Sequence, residues 1–166
     1  MKPWPLVALV WLLCTAAASA AGPTACPSVG VIRWDAWFGA KGVPGVAVEK
    51  TLGPSRWHDR LPVCAQIVAP DSVRISCDSP DQMVLEIDQA ADAGIGYFAF
   101  IAYPEADPMT LGLQAYLKAP NRRRIRFALI SEMDKWGGTA LYRGVVERYV
   151  RLMREPGYQT TPQRCV

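Results

Sequence analysis

Residues 83–104 read MVLEIDQAADAGIGYFAFIAYP, and along this stretch the hydrophobic period changes from that of a helix to that of a buried strand. Met83, Ile87, Ala90 and Ala91 recur at helical spacing and predict one apolar stripe. Upstream, Ser79 can cap that helix, Pro80 suits its first turn, and Gln82 completes a capping-box pattern. Gly94 stops it. From Ile95 to Pro104 the run is apolar and aromatic almost without interruption, which predicts a strand buried on both faces.

The same alternation continues outward. Asp107 and Pro108 open a second helix that runs through Lys118, with Leu111, Ala115 and Leu117 apolar, and Pro120 ends it. Arg122 to Arg124 form a turn, and IRFALIS, Ile125 to Ser131, is the next buried strand. A third helix is predicted from about Thr139 to Arg154, with Leu141, Val145, Tyr149 and Leu152 on one face. Towards the amino terminus, VGVIRWDAWF, Val29 to Phe38, reads as a strand. The glycine-, proline- and charge-rich stretch from Gly39 to Arg60 reads as a long loop, a type usually functional or disordered.

LPVCAQIVA and SVRISCD flank Pro70-Asp71 and predict a hairpin that sets Cys64 opposite Cys77, a geometry that a disulfide can bridge. The order is therefore β, long insertion, α, β, α, β, α. Strands alternating with helices at about 30 residues per unit mean parallel βαβ units. A barrel and an open doubly wound sheet both fit that order.

Residues 1–20 have the order of a cleavable export signal: Lys2, an apolar core from Leu6, then small residues, with cleavage expected between Ala20 and Ala21. The apolar core falls short of the roughly 20 residues that span a bilayer, so no stable membrane span is expected after cleavage. The destination is extracellular or periplasmic. Removing these twenty residues from 166 leaves 146, with 17 basic against 15 acidic side chains. So small a balance points to no nucleic acid or other charged partner. Residues 21–28 form a polar lead, and 29–166 form one domain. Four cysteines remain, and with Cys64 and Cys77 paired, Cys26 and Cys165 are the remainder.

In βα folds chemistry gathers at the carboxyl ends of the strands. Those ends carry Trp34, Asp35, Trp37 and Phe38, then Tyr103, then Glu132, Asp134 and Trp136. Aromatic rings stack on the C–H faces of sugars while carboxylates take their hydroxyls, so Trp34, Trp37, Tyr103, Asp134 and Trp136 are candidate substrate-binding residues. Asp35 and Glu132 are candidate catalytic residues, because two carboxyl groups can serve as acid and as base or nucleophile on a glycosidic bond. His58 is the only histidine and lacks a GxSxG elbow, which favours loop packing over a triad. No CxxC, P-loop or dinucleotide fingerprint occurs, so no metal and no cofactor is expected. The basic run Arg122 to Arg124 reads as a solvated turn.

Taken together, VIRWDAWFG, EKTLGPSRWHDRLP, MVLEIDQAADAGIGYFAFIAYP and LQAYLKAPNRRRIRFALISE resemble the amino-terminal part of glycoside hydrolase family 99-like domains, which include endo-α-mannosidases and WbsX-type proteins. The resemblance covers about Val29 to Tyr158. It implies parallel βαβ units forming the first part of an incomplete (β/α)8 TIM-like barrel that acts on or binds glycans without a metal. A complete barrel takes about 250 residues. It also implies that Trp34, Asp35, Trp37, Tyr103 and Glu132 line a sugar cleft. The family's essential glutamates lie on later strands in a segment resembling NEWxE, which this sequence does not contain. A glycan or polysaccharide ligand follows, with catalysis absent or dependent on a partner chain that completes the barrel. A glycan-binding module stapled by disulfides, and a small hydrolase using Asp35 and Glu132, are the competing expectations.

Overall fold

The structure, a computed structural model, describes residues 28–132 and 139–160. Its framework is a three-stranded parallel sheet of β1 (Gly30–Arg33), β4 (Tyr97–Ile101) and β5 (Arg126–Ile130). The strands lie side by side in chain order, β1-β4-β5. The register sets Val31 beside Phe98 and Phe98 beside Phe127, and one step on, Ile32 beside Ala99 and Ala99 beside Ala128. Alternation along each strand gives these two rows opposite faces.

The Phe98 face is the core. Phe98, Phe100 and Phe127 pack with Met83 and Ile87 of α2 (Pro80–Asp92) and Leu113 and Tyr116 of α3 (Leu111–Lys118). Leu152 of α4 (Thr139–Met153) joins the same cluster, and the Tyr149 hydroxyl donates to the Ala102 carbonyl at 3.2 Å. All three helices thus share one face. The opposite row presents Ile32 at 71% exposure. After α4 the chain returns beside β5: the Phe127 amide donates to Gly157, the Gln159 amide donates to Phe127, and Tyr158 stacks edge-on against Phe127 at 5.2 Å.

The helix-to-strand passage at residues 83–104 forms as its pattern dictates. Gly94 closes α2 at φ +81°, a conformation that favours glycine, and Met83 and Ile87 are buried. The capping box does not form. Ser79 stands at the N-cap without a side-chain bond, and Gln82 instead reaches Glu86 one turn on, at 3.2 Å. The second helix turns its predicted stripe: Met109, Gly112, Leu113 and Tyr116 are buried, and Leu111, Ala115 and Leu117 flank them. The first strand is shorter than Val29 to Phe38, because the chain leaves the sheet after Arg33.

The largest departure lies between Gly39 and Arg60, which is not a loop. Val43–Leu52 is helix α1, and Ser55–Arg60 is a 3-10 segment. Pro44 sits in the first turn, where proline costs nothing, and Gly45 is buried where the chain approaches itself, leaving no room for a Cβ against the Gly39 carbonyl oxygen. The residues that suggest a breaker thus start and pack a helix. The hairpin forms from β2 (Ala65–Ala69) and β3 (Ser72–Ile75), but an irregularity between Ile67 and Ala69 shifts its register to Ala65 beside Ile75, one residue from the pairing that would set Cys64 directly opposite Cys77. Val73, Ile75 and Cys77 form a second, smaller cluster, against which Trp37, Val48, Leu52, Leu61, Cys64 and Ala65 pack.

Candidate functional site

Where β1 ends, alternation divides its neighbouring side chains between the two faces of the sheet. Ile32 and Trp34 lie on the open side, at 71% and 48% exposure, while Arg33 and Asp35 turn towards the helices. Trp34 does not stand alone. With Trp37 and the Ala47, Val48, Thr51 and Leu52 side of α1 it lines an open groove of about 340 Å³. That volume lies within the roughly 300–1,000 Å³ of small-ligand pockets. Trp37 is fixed from behind, since its carbonyl accepts the Cys77 amide at 2.8 Å and Phe38 bridges Ser76 in antiparallel fashion.

Asp35 follows another course. Its carboxylate accepts from Arg33 Nε at 3.1 Å and Nη2 at 2.8 Å, and Arg33 Nη1 donates to Glu86 of α2 at 2.7 Å. The guanidinium lies 4.9 Å from the ring centre of Phe98 and 5.6 Å from that of Phe100. The side chain of Asp35 is only 4% exposed, and against it there is no room for a Cβ on Gly112 of α3. Burial pushes the Asp35 carboxyl above the usual carboxylate range, and the Arg33 guanidinium opposes that shift without cancelling it. Arg33 is held charged by its two carboxylate partners against its own burial. The arrangement is a buried ion network that ties β1 to α2. It keeps Asp35 away from the groove that its neighbour Trp34 lines.

The other strand-end residues gather at the same end of the sheet. The Ala102 amide donates to Ile130 at 2.9 Å, so pairing runs past β4 and β5. Continuing the register from Ile101 beside Ile130 brings Tyr103 level with Glu132, both half-buried. They keep the parity of the open face. Arg148 of α4 anchors this corner by donating to the Tyr103 carbonyl at 2.6 Å and to Thr110 Oγ1 at 3.1 Å. Asp134 and Trp136, and the cysteines Cys26 and Cys165, lie outside the described residues.

Cys64 and Cys77 are bonded, with Cα atoms 5.2 Å apart. The lone histidine packs locally, with His58 Nε2 2.8 Å from the Gly53 carbonyl. Nearby, Trp57 is covered by the guanidinium groups of Arg56 and Arg60, at 5.4 and 4.9 Å. Arg124 of the basic run pairs with Asp88 and Asp92, and Arg122 with Glu155. These three ion pairs engage Arg122 and Arg124 within the fold. Among the described residues no cluster of three or more His, Cys, Asp or Glu could hold a metal ion, and no helix is long and apolar enough to cross a membrane.

Sequence reasoning missed two parts of the site. The α1 wall was hidden by the weight given to Gly42, Pro44 and Gly45, although Pro at a helix start and the spacing of Val48, Thr51 and Leu52 signal it. The other is Arg33, whose signal is that a cation inside an apolar strand demands buried partners. The chain matches no family model, no curated protein and no solved structure.

Proposed function

We propose that this is an exported carbohydrate-active protein, similar to glycoside hydrolase family 99-like enzymes, that holds a glycan at the carboxyl end of its parallel sheet. Catalysis is absent or depends on a partner. The sheet is read as the first part of a β/α barrel. In support, its strands follow one another in chain order, its described helices α2, α3 and α4 share one face, and the chain comes back along the free edge of β5.

The observation that carries the reading is the aromatic groove of Trp34 and Trp37 beside the end of β1, on the sheet end that also bears Tyr103 and Glu132. The exposed Trp34 ring and the half-buried Trp37 ring offer stacking faces for sugar rings, and Glu132 offers a hydroxyl acceptor or a general acid. The buried Arg33–Asp35 pair favours the non-catalytic variant of this reading, a glycan-binding module. A carboxylate locked to a guanidinium under the helices is not free to act as the second group of a hydrolase.

Calorimetry of the chain from Ala21 with an α-linked mannotetraose tests the proposal. Binding should weaken about tenfold or more in Trp34→Ala, which corresponds to about 1.4 kcal/mol. No heat from the unmutated chain with this or other oligomannosides would remove the reading. Turnover of an α-mannoside that is lost in Glu132→Gln would instead establish a hydrolase.

A further inference from the structure

We infer that the Cys64–Cys77 disulfide positions Trp37, so that the aromatic groove is formed in the oxidised protein and lost when a dithiol reduces the bond. Where it concerns ligand binding, the inference rests on the glycan reading above. Where it concerns Trp37, it stands on the packing alone.

Three observations converge. Cys77 is buried, its backbone amide holds the Trp37 carbonyl at 2.8 Å, and the adjoining Ser76 bridges Phe38. The strand segment that ends in the disulfide is therefore the same segment that carries the Trp37 backbone. Secondly, Trp37, Val48 and Leu52 belong both to the cluster around Cys77 and to the wall of the groove. A shift of the cluster is a shift of the wall. Thirdly, that cluster has only three buried members, Val73, Ile75 and Cys77, whereas the main core joins nine buried residues from the sheet, the helices α2 and α3 and the connection from α3 to β5. Small units with little buried area depend on staples. The bond closes a loop across a sequence separation of 13 and restricts the unfolded hairpin accordingly.

The chemistry balances simply. A dithiol delivers two electrons and two protons, the S–S bond breaks into two thiols, and the dithiol leaves as its own cyclic disulfide. The main sheet has no residue in the smaller cluster, so reduction should loosen the insertion and spare the core.

The test compares the oxidised chain from Ala21 with its Cys64→Ser/Cys77→Ser double variant, which leaves Cys26 and Cys165 untouched. Amide exchange should quicken about tenfold or more at Ile75 and at position 77, and remain unchanged at Phe98, Phe100 and Phe127. Affinity for the mannotetraose should fall by about tenfold or more. Dithiol treatment of the unmutated chain should reproduce both effects, and reoxidation should reverse them. Unchanged exchange at Ile75 and position 77 would overturn the inference, as would loss of protection throughout the main sheet. If the oxidised chain binds no oligomannoside, the glycan reading fails while the exchange data still decide the role of the disulfide. If it binds and the variant binds equally well, the inference fails and the glycan reading stands.

Discussion

Asp35 occupies the position where a β/α fold places its chemistry, yet its surroundings make it a structural group. Two hydrogen bonds from Arg33, the backbone of Gly112 and near-complete burial leave it no open face. Asp35→Ala should therefore destabilise the protein by about 2–3 kcal/mol, because Arg33 loses its nearer acceptor in a buried site, keeps only the Glu86 carboxylate, and a void opens beside Gly112. Urea unfolding measures this directly, and a change under about 0.5 kcal/mol would mean the network holds little. The sequence could place Asp35 at a strand end and Trp34 beside it. It could not reveal which of the two faced the groove, because that depends on where Glu86 lies, and Glu86 is 53 residues beyond its partner Arg33. Long-range pairing of this kind leaves no local pattern.

At the level of elements, the outcome follows how local each signal is. The passage from α2 to β4 was legible because stripe, glycine stop and aromatic run all lie within one stretch. The hairpin and its disulfide were legible because turn and cysteines are close in sequence, and the pairing survives the irregularity near Ala69. Helix α1 was not, since its stability comes from packing on β3, including the Glu49 carboxylate that accepts the Ile75 amide at 2.8 Å. In α3 the reading missed Tyr116, the residue that joins that helix to β5. Its hydroxyl donates to the Ile125 carbonyl at 2.7 Å and to Arg122 at 3.2 Å, and burial raises its pKa to about 12 from 10.0. The folded state thus keeps a proton that the unfolded state loses first. Stability from this group is intact below about pH 10 and falls as pH rises towards about 12, by on the order of 1–2 kcal/mol. Alkaline unfolding of Tyr116→Phe should lack that part of the fall, and identical alkaline slopes would contradict it.

For the whole molecule, alternation of helix and strand was enough to foresee parallel units, and the sheet β1-β4-β5 has that form. Whether strands added in chain order or reversed was not legible, because both orders use the same local pattern; the register answers it. The same register gathers Tyr103 and Glu132 at the end where Trp34 and Trp37 form their groove, and on this coincidence the functional account depends. Trp57, covered by two arginines, supplies an internal control. The most direct test is a nuclear magnetic resonance titration of the 15N-labelled chain from Ala21 with α-linked mannotetraose, following the tryptophan indole N–H signals. The account predicts saturable shifts at Trp34 and Trp37 with Trp57 unmoved; no shift at Trp34 and Trp37, or a response confined to Trp57, would contradict it.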